Sequence, residues 1–239
     1  MTQGSRRSRT VATVAAVLAV VAATGCDSEP DGAAADLDRE TIAAATVRVR
    51  ADGCGPRTEL GTGTTIDDGL VVTAAHVVAG SERVEVVDRS GDTVAARVVM
   101  FDPTLDVAAL RPVRDAVPPV ELRIEPGREG EIGVTALTAD DGSIELVDLE
   151  VQQRATIRTT DIYGDEPVQR RGLRVAATIE PGDSGAMVHL PGGGVGIVWS
   201  RSTETVDQAW TVDLPDELLR PVSRRALATP VGTGPCPQP

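Results

Sequence analysis

Ile179-Glu180-Pro181-Gly182-Asp183-Ser184-Gly185 is the stretch on which the reading of this 239-residue chain turns. A serine hydroxyl is a poor nucleophile unless a base stands beside it and donors await the oxyanion it creates. Gly182 leaves the backbone free to turn its N–H groups toward one point, and Ser184 brings a hydroxyl and its own N–H. Taken alone, G-D-S-G reads first as a plain turn. The decision rests on whether a histidine and an aspartate stand upstream in suitable places.

Working outward, the chain is a succession of short apolar runs separated by turn residues. Runs at 46–50, 60–66, 70–76, 83–87, 94–100 and 107–110 make about six strands before Pro119. Runs at 131–136, 143–152, 155–159, 173–178, 186–190, 194–200 and 208–212 make six or seven more. No helical pattern of any length precedes 214–220, where Pro221 limits it. Two successive groups of six strands predict an all-β fold of two antiparallel six-stranded barrels, with a short C-terminal helix and a tail.

Both partners of the serine lie in the first group. Thr73-Ala74-Ala75-His76 ends an apolar strand, which places the imidazole where a rigid strand meets a loop. Asp102-Pro103-Thr104-Leu105-Asp106 leads into the apolar run Val107 to Leu110. Asp106 opens that strand and can be partly buried yet still reach an imidazole; Asp102, beside Pro103, is the rival carboxylate. Ser184 lies in the second group, so a site between two barrels follows. His76 would take the Ser184 proton, Asp106 would fix the tautomer, and the N–H groups of Gly182 and Ser184 would hold the oxyanion.

In T-A-A-H, D-V-A-A-L and P-G-D-S-G, in that order, the chain resembles the trypsin/chymotrypsin-like serine proteases, over about residues 46–219. I-E-P-G-D-S-G, the run G-V-G-I-V before Trp199 and A-W-T-V-D-L-P make it more similar to the bacterial high-temperature-requirement (HtrA) type. The resemblance implies a double β-barrel, endopeptidase activity on protein or peptide substrates, and no cofactor. By analogy, the stretch containing Thr178, Ile179 and Glu180 would line the primary pocket, and Val198, Trp199 and Ser200 would form the substrate-pairing edge. Thr178 and Ile179 bring no carboxylate to the pocket base and favour a small or medium aliphatic side chain, unless Glu180 points inward. Trp199 is either a wall of the cleft or core; His189 reads as structural. Ala186 stands where the family commonly has a second glycine, and no PDZ-like segment follows. In trypsin-like zymogens a freed N-terminus pairs with the aspartate before the serine, here Asp183; a tethered N-terminus does not suit this, and an arginine from within the domain would balance Asp183. The rival function is a protease-like binding or scaffold lipoprotein that no longer turns over. A serine esterase suits neither the order nor the strand context.

Composition narrows the remaining chemistry. The chain contains neither Lys nor Asn, which excludes a Ser–Lys dyad, a P-loop lysine, a Schiff base and a Cys–His–Asn triad. Two histidines do not suit a His-rich metal site, and no metal is expected. Phe101, Tyr163, Trp199 and Trp210 are the whole aromatic set, so the core must be aliphatic and base-stacking platforms are lacking. The formal charge of −13 disfavours nucleic acid as a partner.

Arg6, Arg7 and Arg9 followed by the apolar run 11–23 read as an export signal, too short to span a bilayer, where about 20 residues are needed. Its end, Ala23-Thr24-Gly25-Cys26, resembles a lipobox, which would lipidate Cys26 and anchor the mature chain to the cell membrane on its outer side; simple secretion is the alternative. Loss of the three leader arginines would take the charge from −13 to −16. An odd cysteine count in an exported chain calls for an explanation, and a lipid on Cys26 leaves Cys54 and Cys236 to form a disulfide or remain thiols. The expected organisation is a signal over 1–25, a flexible acidic linker over 26–42, a protease domain over 43–219 (barrels about 43–117 and 118–213) and a tail over 220–239.

Overall fold

The computed structural model describes residue 1 and residues 37–115, 117–123, 125–139, 141–223 and 229–237. The expected signal segment, the lipobox with Cys26 and most of the acidic linker lie outside the described residues.

Alternating side chains build the first barrel. In β1 (Thr46–Asp52), Val47, Val49 and Ala51 are buried while Arg48 and Arg50 lie nearer the surface, the period-two pattern of a half-buried strand. It is joined by β2 (Glu59–Ile66), β3 (Leu70–Thr73), β4 (Arg83–Val87), β5 (Thr93–Asp102) and β6 (Val107–Pro112). These close in the order β1-β2-β3-β6-β5-β4. The second barrel contains β7 (Ile132–Thr138), β8 (Ile144–Thr160), β9 (Pro167–Ala176), β10 (Met187–Leu190), β11 (Gly193–Arg201) and β12 (Gln208–Asp213). It closes as β10-β11-β12-β9-β8-β7, so the two six-stranded antiparallel barrels expected from the strand count are present. Each encloses an aliphatic core, with Val47, Val71 and Leu110 in the first and Val151, Leu173 and Leu190 in the second.

Three elements depart from expectation. The linker assigned to 26–42 ends early, because α1 (Arg39–Ala45) begins inside it. Asp38 caps this helix by accepting the Thr41 N–H at 3.0 Å, and Ile42 and Ala45 are buried beneath it. Arg39 pairs with Asp148 of β8 and Glu40 with Arg89 of the β4–β5 turn, so the helix spans both barrels. Second, the runs at 143–152 and 155–159 are one strand, β8, which a register shift near Gln152 bends without breaking. With β9 it forms a long hairpin that reaches the first barrel, where the Ile162 N–H donates to the Pro103 carbonyl at 3.2 Å.

The third departure is the tail. Helix α3 (Asp216–Ser223) passes the expected boundary at 219, and Arg111 of β6 donates to its Val222 carbonyl at 2.9 Å. Residues 229–237 then lie along the first barrel, the Val231 N–H donating to the Val98 carbonyl and the Gly80 N–H to the Thr233 carbonyl. A disulfide joins Cys54 to Cys236 with Cα atoms 5.5 Å apart. The last residues therefore cover the first barrel, not the second that precedes them.

Candidate active site

His76 does not sit at the end of a strand. It lies in α2 (Ala75–Val78), a single helical turn directly after β3. The turn lets one residue address Asp106 twice: the His76 backbone N–H donates to Oδ1 at 2.9 Å, and ring Nδ1 lies 2.9 Å from Oδ2 and 3.1 Å from Oδ1. A carboxylate only accepts, so Nδ1 carries the proton and Nε2 is left with a lone pair. A third of the His76 side chain faces solvent, while the Asp106 side chain is 3% exposed.

Asp106 owes its position to Asp102. Asp102 Oδ1 accepts the N–H groups of Thr104 and Leu105 at 2.9 and 2.8 Å, and the Asp102 carbonyl accepts the Asp106 N–H at 2.9 Å. This tight turn holds Asp106 at φ +63°, a left-handed conformation uncommon for a residue with a side chain. The rival carboxylate thus organises the loop and Asp106 meets the imidazole. Burial pushes the Asp106 pKa up, but the His76 charge and hydrogen bonds and the Arg170 charge outweigh it and hold the carboxyl below its ordinary value. Burial likewise depresses His76, and Asp106 more than reverses this, leaving the imidazole pKa raised above 6.5.

The serine loop is pinned from both barrels. Thr62 of β2 donates its N–H to the Ser184 carbonyl at 2.9 Å and its hydroxyl to the Gly182 carbonyl at 3.0 Å. Having one proton, that hydroxyl must accept from Thr138 of β7, 2.8 Å away. Within the loop, the Glu180 N–H donates to Asp183 Oδ2 at 2.8 Å, the Asp183 N–H to the Glu180 carbonyl at 3.1 Å, and the Ala186 N–H to the Asp183 carbonyl at 2.9 Å. Among the described residues, the N–H groups of Gly182 and Ser184 are not used in any of these bonds. A side chain on Gly185 would lie 2.4 Å from Thr73 Oγ1 and 2.8 Å from the Ala74 nitrogen, so the loop packs directly on the turn carrying His76. Nothing in the run G-T-G-T-T marks Thr62 as the residue that joins the barrels here.

The residues expected to bind substrate divide into two groups. Thr178 and Glu180 are exposed and line a cavity of about 730 Å³ whose wall also carries Glu145, Asp148, Asp183 and Asp207. Ile179, expected in the pocket, is 5% exposed and belongs to the second core. Its neighbours' alternation along an extended segment turns it the other way. Val198, expected on the pairing edge, is 1% exposed; its N–H donates to the Ala186 carbonyl and its carbonyl accepts from Gly185. Both backbone groups being used, Val198 has none to offer a substrate strand. Trp199 sits at a bulge where the β11–β12 register shifts, and Ser200 follows it, half-buried. Trp199 packs against the first core and under the Arg170 guanidinium, whose carbon is 4.5 Å from the ring centroid. The Ala186 methyl is buried in the second core, which accounts for the missing glycine without involving His76 or Asp106. His189 is 2% exposed on β10, the structural histidine expected.

Two antiparallel barrels, with an aspartate-bound imidazole on one and a glycine-turned serine loop on the other, define the class of trypsin-like serine peptidases. The family described as "Trypsin-like peptidase domain" matches residues 61–195, which contain His76, Asp106 and Ser184. The chain belongs to that family. It is 33% identical over 179 residues to serine protease Rv3671c of Mycobacterium tuberculosis, covering 74% of this chain and 44% of that protein. It is 32% identical over 156 residues to mitochondrial serine protease HTRA2 of Bos taurus, covering 64% and 33%. The chain thus spans less than half the length of these curated relatives. The active-form crystal structure of Rv3671c protease superposes with a TM-score of 0.75 at 30% identity, covering 83% of this chain and 88% of that one. The inactive form gives 0.66 at 27%, covering 80% and 92%.

Proposed function

We propose that this chain is an exported, membrane-anchored serine endopeptidase in which His76, Asp106 and Ser184 form the catalytic triad. The observation that carries this reading is the 2.9 Å contact between His76 Nδ1 and Asp106 Oδ2, which leaves Nε2 unprotonated. In the reaction, Ser184 Oγ attacks the substrate carbonyl carbon and its proton passes to Nε2. The carbonyl π electrons move onto oxygen, where the Gly182 and Ser184 N–H groups stabilise the charge. Collapse expels the amine, which takes the proton from Nε2, and leaves an acyl-Ser184 ester. Water, deprotonated by the same nitrogen, then releases the acid and restores Ser184.

The substrate is a protein or peptide. Carboxylates from Glu145, Glu180 and Asp207 around the cavity disfavour acidic side chains there, and Leu137, Val147, Ala176 and Ala177 in the same lining suit a small or medium aliphatic side chain. Export and anchoring rest on the basic, apolar and lipobox-like run ending at Cys26.

Labelling with a fluorophosphonate tests the chemistry: the native chain should be labelled and Ser184→Ala and His76→Ala should not. Absence of label on folded native protein would refute it. Anchoring is tested separately, since Cys26→Ala should release the protein from membranes; unchanged retention counts against the lipid.

A further inference from the structure

Arg170 has no part in the chemistry above, yet it is among the most buried side chains in the protein, at 2% exposure. It lies on β9, paired with Ile157 in the long hairpin of the second barrel. Its surroundings are specific. The Nε–H donates to the Thr104 carbonyl at 2.9 Å, in the turn that presents Asp106. Nη1 is 3.9 Å from Asp106 Oδ2, the oxygen that faces His76 Nδ1. The guanidinium carbon lies over the Trp199 ring. A guanidinium taken out of water is costly unless an anion faces it, and its rigid planar fork holds that anion in one orientation.

We infer that Arg170 is a positioning residue for the His76–Asp106 pair: held between Thr104 and Trp199, its guanidinium aligns the Asp106 carboxylate on His76 and sets a fixed positive charge beside the pair. This rests on the proposed triad and deepens it. Asp106 strengthens His76 as a base, and a base that is too strong retains the proton that the leaving amine needs. Arg170 acts in the other direction. The charged groups around the pair are accounted for: Asp106 and Glu59 of β2 favour the imidazolium, and Arg170 disfavours it. Asp106, Asp102 at the end of β5 and Asp161 in the hairpin turn surround Arg170 and support its charge against burial. Trp199 immediately precedes Ser200 at the bulge in β11, so the same guanidinium contacts a strand of the serine-side barrel and the aspartate loop of the other barrel.

The test is the titration of His76 by NMR in the full chain. With two histidines present, His76→Ala identifies the resonance. Arg170→Met should raise the His76 pKa by roughly half a unit or more, as expected on removing a nearby like charge. Arg170→Lys, which restores a charge, should return it toward the native value. Arg170→Gln repeats the measurement if the Met variant does not fold. A His76 titration unchanged in the neutral variant, or shifted equally in the Lys variant, overturns the inference. The outcome is independent of turnover. Fluorophosphonate labelling of the native chain decides the triad reading, so failure of one is distinguishable from failure of the other.

Discussion

The hydroxyl of Thr62 donates to the carbonyl of Gly182 at 3.0 Å, a contact between residues 120 positions apart and on different barrels. With the Thr62 N–H on the Ser184 carbonyl, it fixes the peptide planes that immediately follow Gly182 and Ser184, the residues whose N–H groups are the proposed oxyanion donors. Thr62→Val keeps the shape and removes the proton. It leaves the Gly182 carbonyl unpaired and takes from Thr138 its acceptor. A stability loss of about 1–3 kcal/mol is expected from such orphaned groups. Fluorophosphonate labelling should slow at least tenfold, because the peptide plane next to the Gly182 N–H is no longer held. Unaltered labelling with unaltered denaturant midpoint would show that the contact does not organise the loop.

Gly182 and Gly185 should respond differently to alanine. Both have positive φ, +105° and +92°. A methyl on Gly182 meets nothing within 4 Å, so its effect is to pull the backbone from its conformation. Gly182→Ala should fold and lose roughly 10²–10³-fold in rate, the scale of one lost oxyanion donor. A methyl on Gly185 would stand 2.2 Å from the Thr62 carbonyl oxygen. Gly185→Ala should separate the loop from the first barrel and lower the melting temperature as well as the rate. Equal stabilities for the two variants would contradict this.

The two histidines oppose each other as pH changes. Burial depresses His189 to about 4, and its Nε2 has no hydrogen-bond partner among the described residues. The unfolded chain then binds a proton below about pH 6.5 that the folded chain refuses until about pH 4. The contribution of His189 is complete above that window and falls by up to roughly 3 kcal/mol across it. His76 has a raised folded pKa, so its contribution is complete below about 6.5 and is lost as pH rises through the folded value. Denaturant unfolding between pH 5 and 7 should show a positive slope with pH, reduced in His189→Leu. The rate constant for labelling should fall on the acid side through a pKa raised above the ordinary histidine value, since in the proposed mechanism only neutral His76 accepts the Ser184 proton.

The Cys54–Cys236 disulfide spans a sequence separation of 182 residues. In the chain-entropy account, a loop of that length contributes on the order of 5 kcal/mol. Reduction, or Cys54→Ser with Cys236→Ser, should lower the melting temperature by roughly 10 °C or more for a domain of this size. Protection of amides near Val98 and Gly80, where the tail pairs, should fall first. A melting temperature insensitive to reductant would mean that hydrogen bonds alone hold the tail.

How much of this was legible in sequence follows from how few residues could do each task. With two histidines and no lysine or asparagine, the candidate partners for Ser184 were few, and turn residues counted out the strands. Asp102 and Asp106 differ by four positions, and Pro103 was enough to tell which one leads into the strand. Arg170 was not legible, because in V-Q-R-R-G-L-R arginines stand on both faces of the strand and Arg174 shares the face of Arg170, yet of the three only Arg170 is fully buried. A buried arginine beside Asp106 had no counterpart among the expectations. Ile179 and Thr178 are neighbours of comparable size, and a side facing core cannot be told from a side facing cleft without the register. Helix α1 did leave a signal, Asp38 three residues before Thr41, hidden by its acidic surroundings.

The cysteine bridge has one more effect. Cys54 precedes His76 and Cys236 follows Ser184, so β2 to β12, with His76, Asp106 and Ser184, are contained in a covalent ring, and of the barrel strands β1 alone lies ahead of it. A protease shares its compartment with copies of itself, and exposed turns such as that around Arg128 and Glu129 are where a neighbour would cut. One cut anywhere inside the ring opens the chain but releases no fragment. A nicked molecule keeps its two pieces tied and in register, migrates as a single species until reductant is added, and survives a self-inflicted wound that would take an unbridged molecule apart.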